Sequence, residues 1–91
     1  MENNTALDIM LHGKTITFYR SLKDISCREL ARISGVEYST LHKLEASKRS
    51  MTQLSNYRIT RALQSMGFDL QEVLVINLYV IQKHGGLVIN E

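Results

Sequence analysis

Apolar residues recur along the chain in short helical periods, separated by polar capping residues and glycines. The first period puts Leu7, Leu11, Ile16 and Tyr19 on one side of a segment that can start in "TALD" (5–8) and run to about Leu22. Thr5 can accept from the free amides of a first turn, Asp8 suits the positive end of the helix dipole, and Gly13 allows a break. In "SCRE" (26–29), Ser26 and Glu29 form a capping box that opens a two-turn helix over 27–34, with Leu30 and Ala31 facing in. Gly35 ends that helix, where positive φ is needed. A third helix, about 38–45, has only Leu41 and Leu44 as inward positions. Thr52 caps a fourth, with Leu54, Ile59, Ala62 and Leu63 on one side and Gly67 past its end. "DLQE" (69–72) is a second capping box and starts a fifth helix, packed through Leu70, Val73 and Leu74.

The last stretch, "NLYVIQKHGGLVINE", supports two readings. It continues the fifth helix to Gly85, or its β-branched and aromatic residues form two strands around a glycine turn. The favoured reading ends the helix near Asn77 and follows it with a hairpin. That divides the chain into a helical body, 1–77, and a C-terminal extension, 78–91, of the same domain.

Composition narrows the function classes. Ninety-one residues make one small domain with one modest core, which leaves little room for an enclosed active site. The net charge of +2 is too weak to indicate a polyanionic partner, but its distribution is uneven. Between Leu41 and Phe68 stand Lys43, Lys48, Arg49, Arg58 and Arg61 against a single acid, Glu45. The lone Cys27 fits a reducing compartment. "MENNTALD" has no basic, then apolar, leader pattern, and "VLVINLYVI" (73–81) is far shorter than the ~20 residues of a membrane helix. A soluble, cytoplasmic protein is expected. Cys27, His12, His42 and His84 do not have metal-ligand spacing, and there is no phosphate loop, GxSxG motif or carboxylate cluster. Neither enzymatic activity nor a metal or other cofactor is expected.

Two short helices joined at a glycine, the second burying one edge only, follow the plan of a helix-turn-helix. Val36, Leu41 and Leu44 form the dry edge of "SGVEYSTLHKLE" (34–45), leaving Tyr38, Ser39, His42 and Lys43 on the opposite one. A helix has the diameter to enter the DNA major groove, and side chains of mixed polarity suit its donor and acceptor pattern.

"SCRELARISGVEYSTLHKLEASKR" resembles the helix-turn-helix of the Cro/CI-type (XRE) repressor family. Leu30-Ala31, Gly35-Val36, Thr40-Leu41, Leu44-Glu45 and Lys48 carry the resemblance, and "YRITRAL" (57–63) and "FDLQEVL" (68–74) extend it over roughly residues 16 to 76. It implies an all-α, five-helix, lambda-repressor-like domain, to which the apolar C-terminal segment adds a hairpin or longer last helix for dimerisation. It also implies a buried ion pair between Arg20 and Glu45. The chain departs from the family pattern at Cys27, where Gln is frequent, at Glu37, where Ser, Thr or Asn caps, at Ala46, where Asn or Arg is common, and at Ser47, where glycine is usual.

Under this reading Tyr38, Ser39, His42 and Lys43 contact bases. Lys48 and Arg49 contact phosphates, as does the backbone N–H of Cys27 at its helix start, and Thr40 touches the backbone or caps locally. Glu37 can accept from a cytosine amine. Arg58 and Arg61 are either further contacts or solvated charges. The apolar segment 73–91 is expected to pair two copies, so that the protein reads a palindromic site as a homodimer. The function expected is a DNA-binding transcriptional regulator, a repressor in the usual case. The alternative is an antitoxin whose apolar C-terminal segment binds a toxin or other protein partner.

Overall fold

The computed structural model describes residues 9–84. They contain five α-helices and no strand: α1 Gly13–Leu22, α2 Cys27–Ser34, α3 Tyr38–Glu45, α4 Gln53–Ser65 and α5 Leu70–His84. This is the all-helical, five-helix architecture that the apolar periods predict. The core draws on every helix, with Ile16, Leu30, Leu41, Ile59, Leu63 and Val73 fully buried.

Local chemistry sets most of the boundaries. Ser26 Oγ accepts from the Glu29 amide at 3.0 Å, Thr52 Oγ1 from Ser55 at 3.1 Å, and Asp69 from Glu72 at 3.1 Å. The Glu29 carboxylate pairs with Arg32 rather than with the Ser26 amide, so the box at 26–29 is half made. Three helices end with the same two backbone bonds. After α1, Ile25 N donates to Arg20 O and Asp24 N to Ser21 O; after α3, Lys48 N donates to Lys43 O and Ser47 N to Leu44 O. After α4, Phe68 N donates to Leu63 O and Gly67 N to Gln64 O. The left-handed position falls on Asp24 (φ 56°), Ser47 (φ 59°) and Gly67 (φ 99°). Only the glycine adopts it without strain, which costs about 1 kcal/mol at each of the other two.

Three expectations are corrected. α1 begins at Gly13, with His12 as its cap, whose Nδ1 accepts from Lys14 N at 3.0 Å; Thr5, Leu7 and Asp8 lie outside the described residues. Residues 9–12 are not helical because two buried asparagines hold their backbone. Asn56 Oδ1 accepts from Leu11 N at 2.8 Å, and its Nδ2 donates to Ile9 O at 3.0 Å. Asn77 Oδ1 accepts from His12 N at 2.8 Å and Thr15 Oγ1 at 2.7 Å, while its Nδ2 donates to Met10 O at 2.9 Å.

The second correction concerns α5, which passes through Asn77 and continues to His84. A hairpin beginning after Asn77 is therefore excluded over 78–84, and residues 85–91 lie outside the described ones. Leu70, Val73, Leu74, Asn77 and Ile81 follow helical spacing on the inner side, with Val73 and Asn77 fully buried. Further apolar residues on the outer side hide that period in the sequence. Third, Leu54 is exposed: α4 buries Asn56, Ile59, Thr60, Ala62 and Leu63, and Leu54 stands across the helix from the centre of that stripe.

Candidate nucleic-acid interface

α3 buries Leu41 and Leu44 and leaves Tyr38, Ser39, His42 and Lys43 exposed. At 100° per residue these four span about 140° of the helix circumference, a single continuous edge. Thr40, on the flank, is half-buried. Glu37 precedes the helix as its cap residue; its side chain makes no capping bond and is exposed, so its carboxylate is available to an outside donor. Lys48 and Arg49 are also exposed and follow directly on the turn at Ser47.

The end of α3 is fixed by the Arg20–Glu45 pair. Arg20 Nη2 lies 2.9 Å from Glu45 Oε1, and Arg20 Nε donates to Oε2 at 3.0 Å. The same guanidinium donates through Nη1 to Ile25 O at 3.0 Å, and Thr17 Oγ1 donates to Glu45 Oε1 at 2.9 Å. The two side chains are 22% and 10% exposed, so the carboxylate has little water and takes its bonds from protein. Bonding to Glu45 raises the Arg20 pKa above its ordinary value, so the guanidinium keeps its charge. A close backbone approach reinforces the joint: a Cβ at Gly13 would run into the Leu44 carbonyl oxygen.

Cys27 is half-buried and packs against the core. Burial, and then the nearby Glu45, push its thiol pKa up, so the sulfur is no reactive thiolate. Its side chain is only partly covered, and the N–H at the start of α2 is the group it can offer an anion. Arg58 and Arg61 are set apart from the α3 edge. They line a cleft with Ile33 and Ser34 at the end of α2, and Arg61 Nη1 donates to Tyr57 Oη at 2.9 Å. The basic window between Leu41 and Phe68 therefore splits into two groups.

The pattern of apolar and polar residues did not point to Arg28. Its guanidinium carbon lies 4.2 Å from the Tyr38 ring centroid, and the Tyr38 ring lies 5.8 Å from that of His42. The contact joins the first turns of α2 and α3, ten positions apart, and nothing in local periodicity marks it. The only available signal was the exposed basic residue beside the cap at Ser26.

A second surface has the opposite character. On α5, Val75, Leu78 and Tyr79 are exposed, and Val75 lines a groove of about 740 Å³ with Phe18, Leu22 and Phe68. Among the described residues no helix is long and apolar enough to cross a membrane. Nor does any group of three or more His, Cys, Asp or Glu among them stand ready to hold a metal ion. Comparison of the chain with family models, with curated proteins and with solved structures finds no match to any of them.

Proposed function

We propose that this protein is a cytoplasmic transcriptional regulator of the Cro/CI kind that binds double-stranded DNA in a sequence-specific manner, acting as a repressor by occupying an operator. The observation that carries this reading is the exposed edge of α3, on which Tyr38, Ser39, His42 and Lys43 stand together while Leu41 and Leu44 hold the other edge in the core. α3 enters the major groove, and Lys43 and His42 offer donors to base acceptors. Lys48, Arg49 and the N–H of Cys27 grip phosphates on either side and set the register. Two copies pair through α5 and read half-sites about one helical turn (~34 Å) apart.

Selection of bound sequences from random duplexes tests this. A palindromic consensus, lost on joint Ser39→Ala and Lys43→Ala substitution, supports it; no enrichment by the folded protein rejects it. The exposed apolar edge of α5 also favours a second reading, an antitoxin that masks a toxin with that edge. Copurification with one small partner encoded alongside, and no enrichment of DNA, would favour the second reading.

A further inference from the structure

We propose that Arg28 sets the attitude of the Tyr38 ring and thereby the base preference at the start of α3, a positioning role that rests on the DNA reading above. Arg28 belongs to the first turn of α2, is exposed, and lies with its guanidinium 4.2 Å from the Tyr38 ring centroid. One turn further along α3, the His42 ring lies 5.8 Å from the Tyr38 ring, tilted by 48°. Guanidinium, phenol and imidazole thus form one row across the two helices, and two of its three members belong to the edge assigned to base reading.

A tyrosine at the first position of a helix has two side-chain torsions, and Tyr38, 36% exposed, keeps part of its ring open to water. A cation over its face restricts both. The planar guanidinium stacks where an ammonium would not, so lysine is a poor replacement. Among the described residues no carboxylate pairs with Arg28, and its N–H donors remain available to a phosphate. One side chain can therefore hold the backbone and orient the reading residue together. Lys48 and Arg49, with no ring beneath them among the described residues, have only the first of these roles.

The test compares site selection and salt dependence for the wild type, Arg28→Gln, Arg28→Lys and Tyr38→Leu. Arg28→Gln is expected to relax preference by about fivefold or more at the base pairs that Tyr38→Leu also relaxes, and to leave the other positions unchanged. It should also lower the salt slope by about one. Arg28→Lys should restore the slope without restoring the preference. Uniform weakening of all duplexes by Arg28→Gln, with an unchanged consensus, would reduce Arg28 to a phosphate contact and overturn the proposal alone. A wild type that enriches no sequence would overturn the DNA reading as well.

A measurement without DNA provides the second arm. In the free protein, Arg28→Gln should shift the NMR resonances of the Tyr38 ring and leave those of Tyr57 in place, with the melting temperature unchanged. Unmoved Tyr38 resonances would overturn the positioning role whatever the selection shows.

Discussion

α3 and α5 are both helices with one edge in the core, and they treat water in opposite ways. The outer edge of α3 carries Tyr38, Ser39, His42 and Lys43, groups that water satisfies at no cost. The outer edge of α5 carries Val75, Leu78 and Tyr79, with Val75 64% and Tyr79 60% exposed. Their anchors differ as well. The end of α3 is held by an ion pair, Arg20–Glu45, whereas the middle of α5 is held by a neutral amide, Asn77. Fixing a short helix whose outer face must stay wet takes directional bonds at its end, because two leucines bury too little area to do it alone. The longer α5 has area to spare, and its amide serves to tie down residues 10–15 instead.

The anchors give the largest expected effects. Asn77→Ala leaves His12 N, Thr15 Oγ1 and Met10 O without their partner. Thr15 Oγ1 is buried and the other two groups part-buried; at roughly 1–3 kcal/mol for each stranded group, a loss of about 4 kcal/mol in denaturant unfolding is expected. Arg20→Ala strands the Glu45 carboxylate and is expected to cost about 3 kcal/mol, near the lower end for a broken buried pair because Arg20 keeps some water. Joint replacement, Arg20→Met with Glu45→Leu, should recover most of that loss. Failure to recover would mean that the pair does more than satisfy its own charges.

Gly13 connects the two regions, since it follows the segment that Asn77 holds and abuts the end of α3. Gly13→Ala forces backbone against backbone at Leu44 and is expected to cost about 2 kcal/mol. If α3 reads DNA as proposed, it should also displace that helix and weaken DNA binding more than its stability loss explains. Equal affinity at a temperature where the variant is folded would show that α3 tolerates the shift.

These contacts also divide what the sequence could reveal from what it could not. Ser26, Gly35, Thr52, Gly67 and Asp69 were legible because each acts within four residues of itself. The wet and dry edges of α3 were legible from spacing alone. Arg20–Glu45 came from the family resemblance, not from any local pattern. Asn56 and Asn77 were missed because their partners lie 45 to 67 positions away, and a buried asparagine looks like a surface residue in a sequence. The same blindness made Leu54 look like core, since the true stripe of α4 contains Asn56 and Thr60. Strand-like composition in "VLVINLYVI" reflected an unsatisfied outer edge on α5 rather than a change of element.

His12 provides a milder probe of the same joint. It caps α1 through Nδ1, and its ring stacks on His84 at the end of α5, 5.7 Å between centroids. Burial first, then the charges of His84 and Lys14, lower its pKa from the ordinary 6.5. The folded protein therefore binds this proton less readily than the unfolded chain does. Stability should be complete above pH 6.5, fall as pH drops through that value, and level off below the folded pKa. Asparagine caps without titrating, so His12→Asn should flatten this part of a melting-temperature profile against pH. An unchanged slope would assign it to another group.

The smallest expected effect on stability discriminates most sharply between the two outer edges. Val75→Glu places a charge on a side chain that is already mostly in water, so the fold should change by no more than about 0.5 kcal/mol. If two copies pair through α5, the same change puts like charges across a two-fold axis, and sedimentation should show a dimer becoming a monomer. If α3 reads bases as proposed, Lys43→Ala should do the reverse, leaving such a dimer intact while the selected DNA sequence is lost. A wild type that is monomeric at micromolar concentration, and still monomeric on DNA, would detach the α5 edge from symmetry altogether. The exposed Val75, Leu78 and Tyr79 would then favour the second reading, in which a different protein covers this edge.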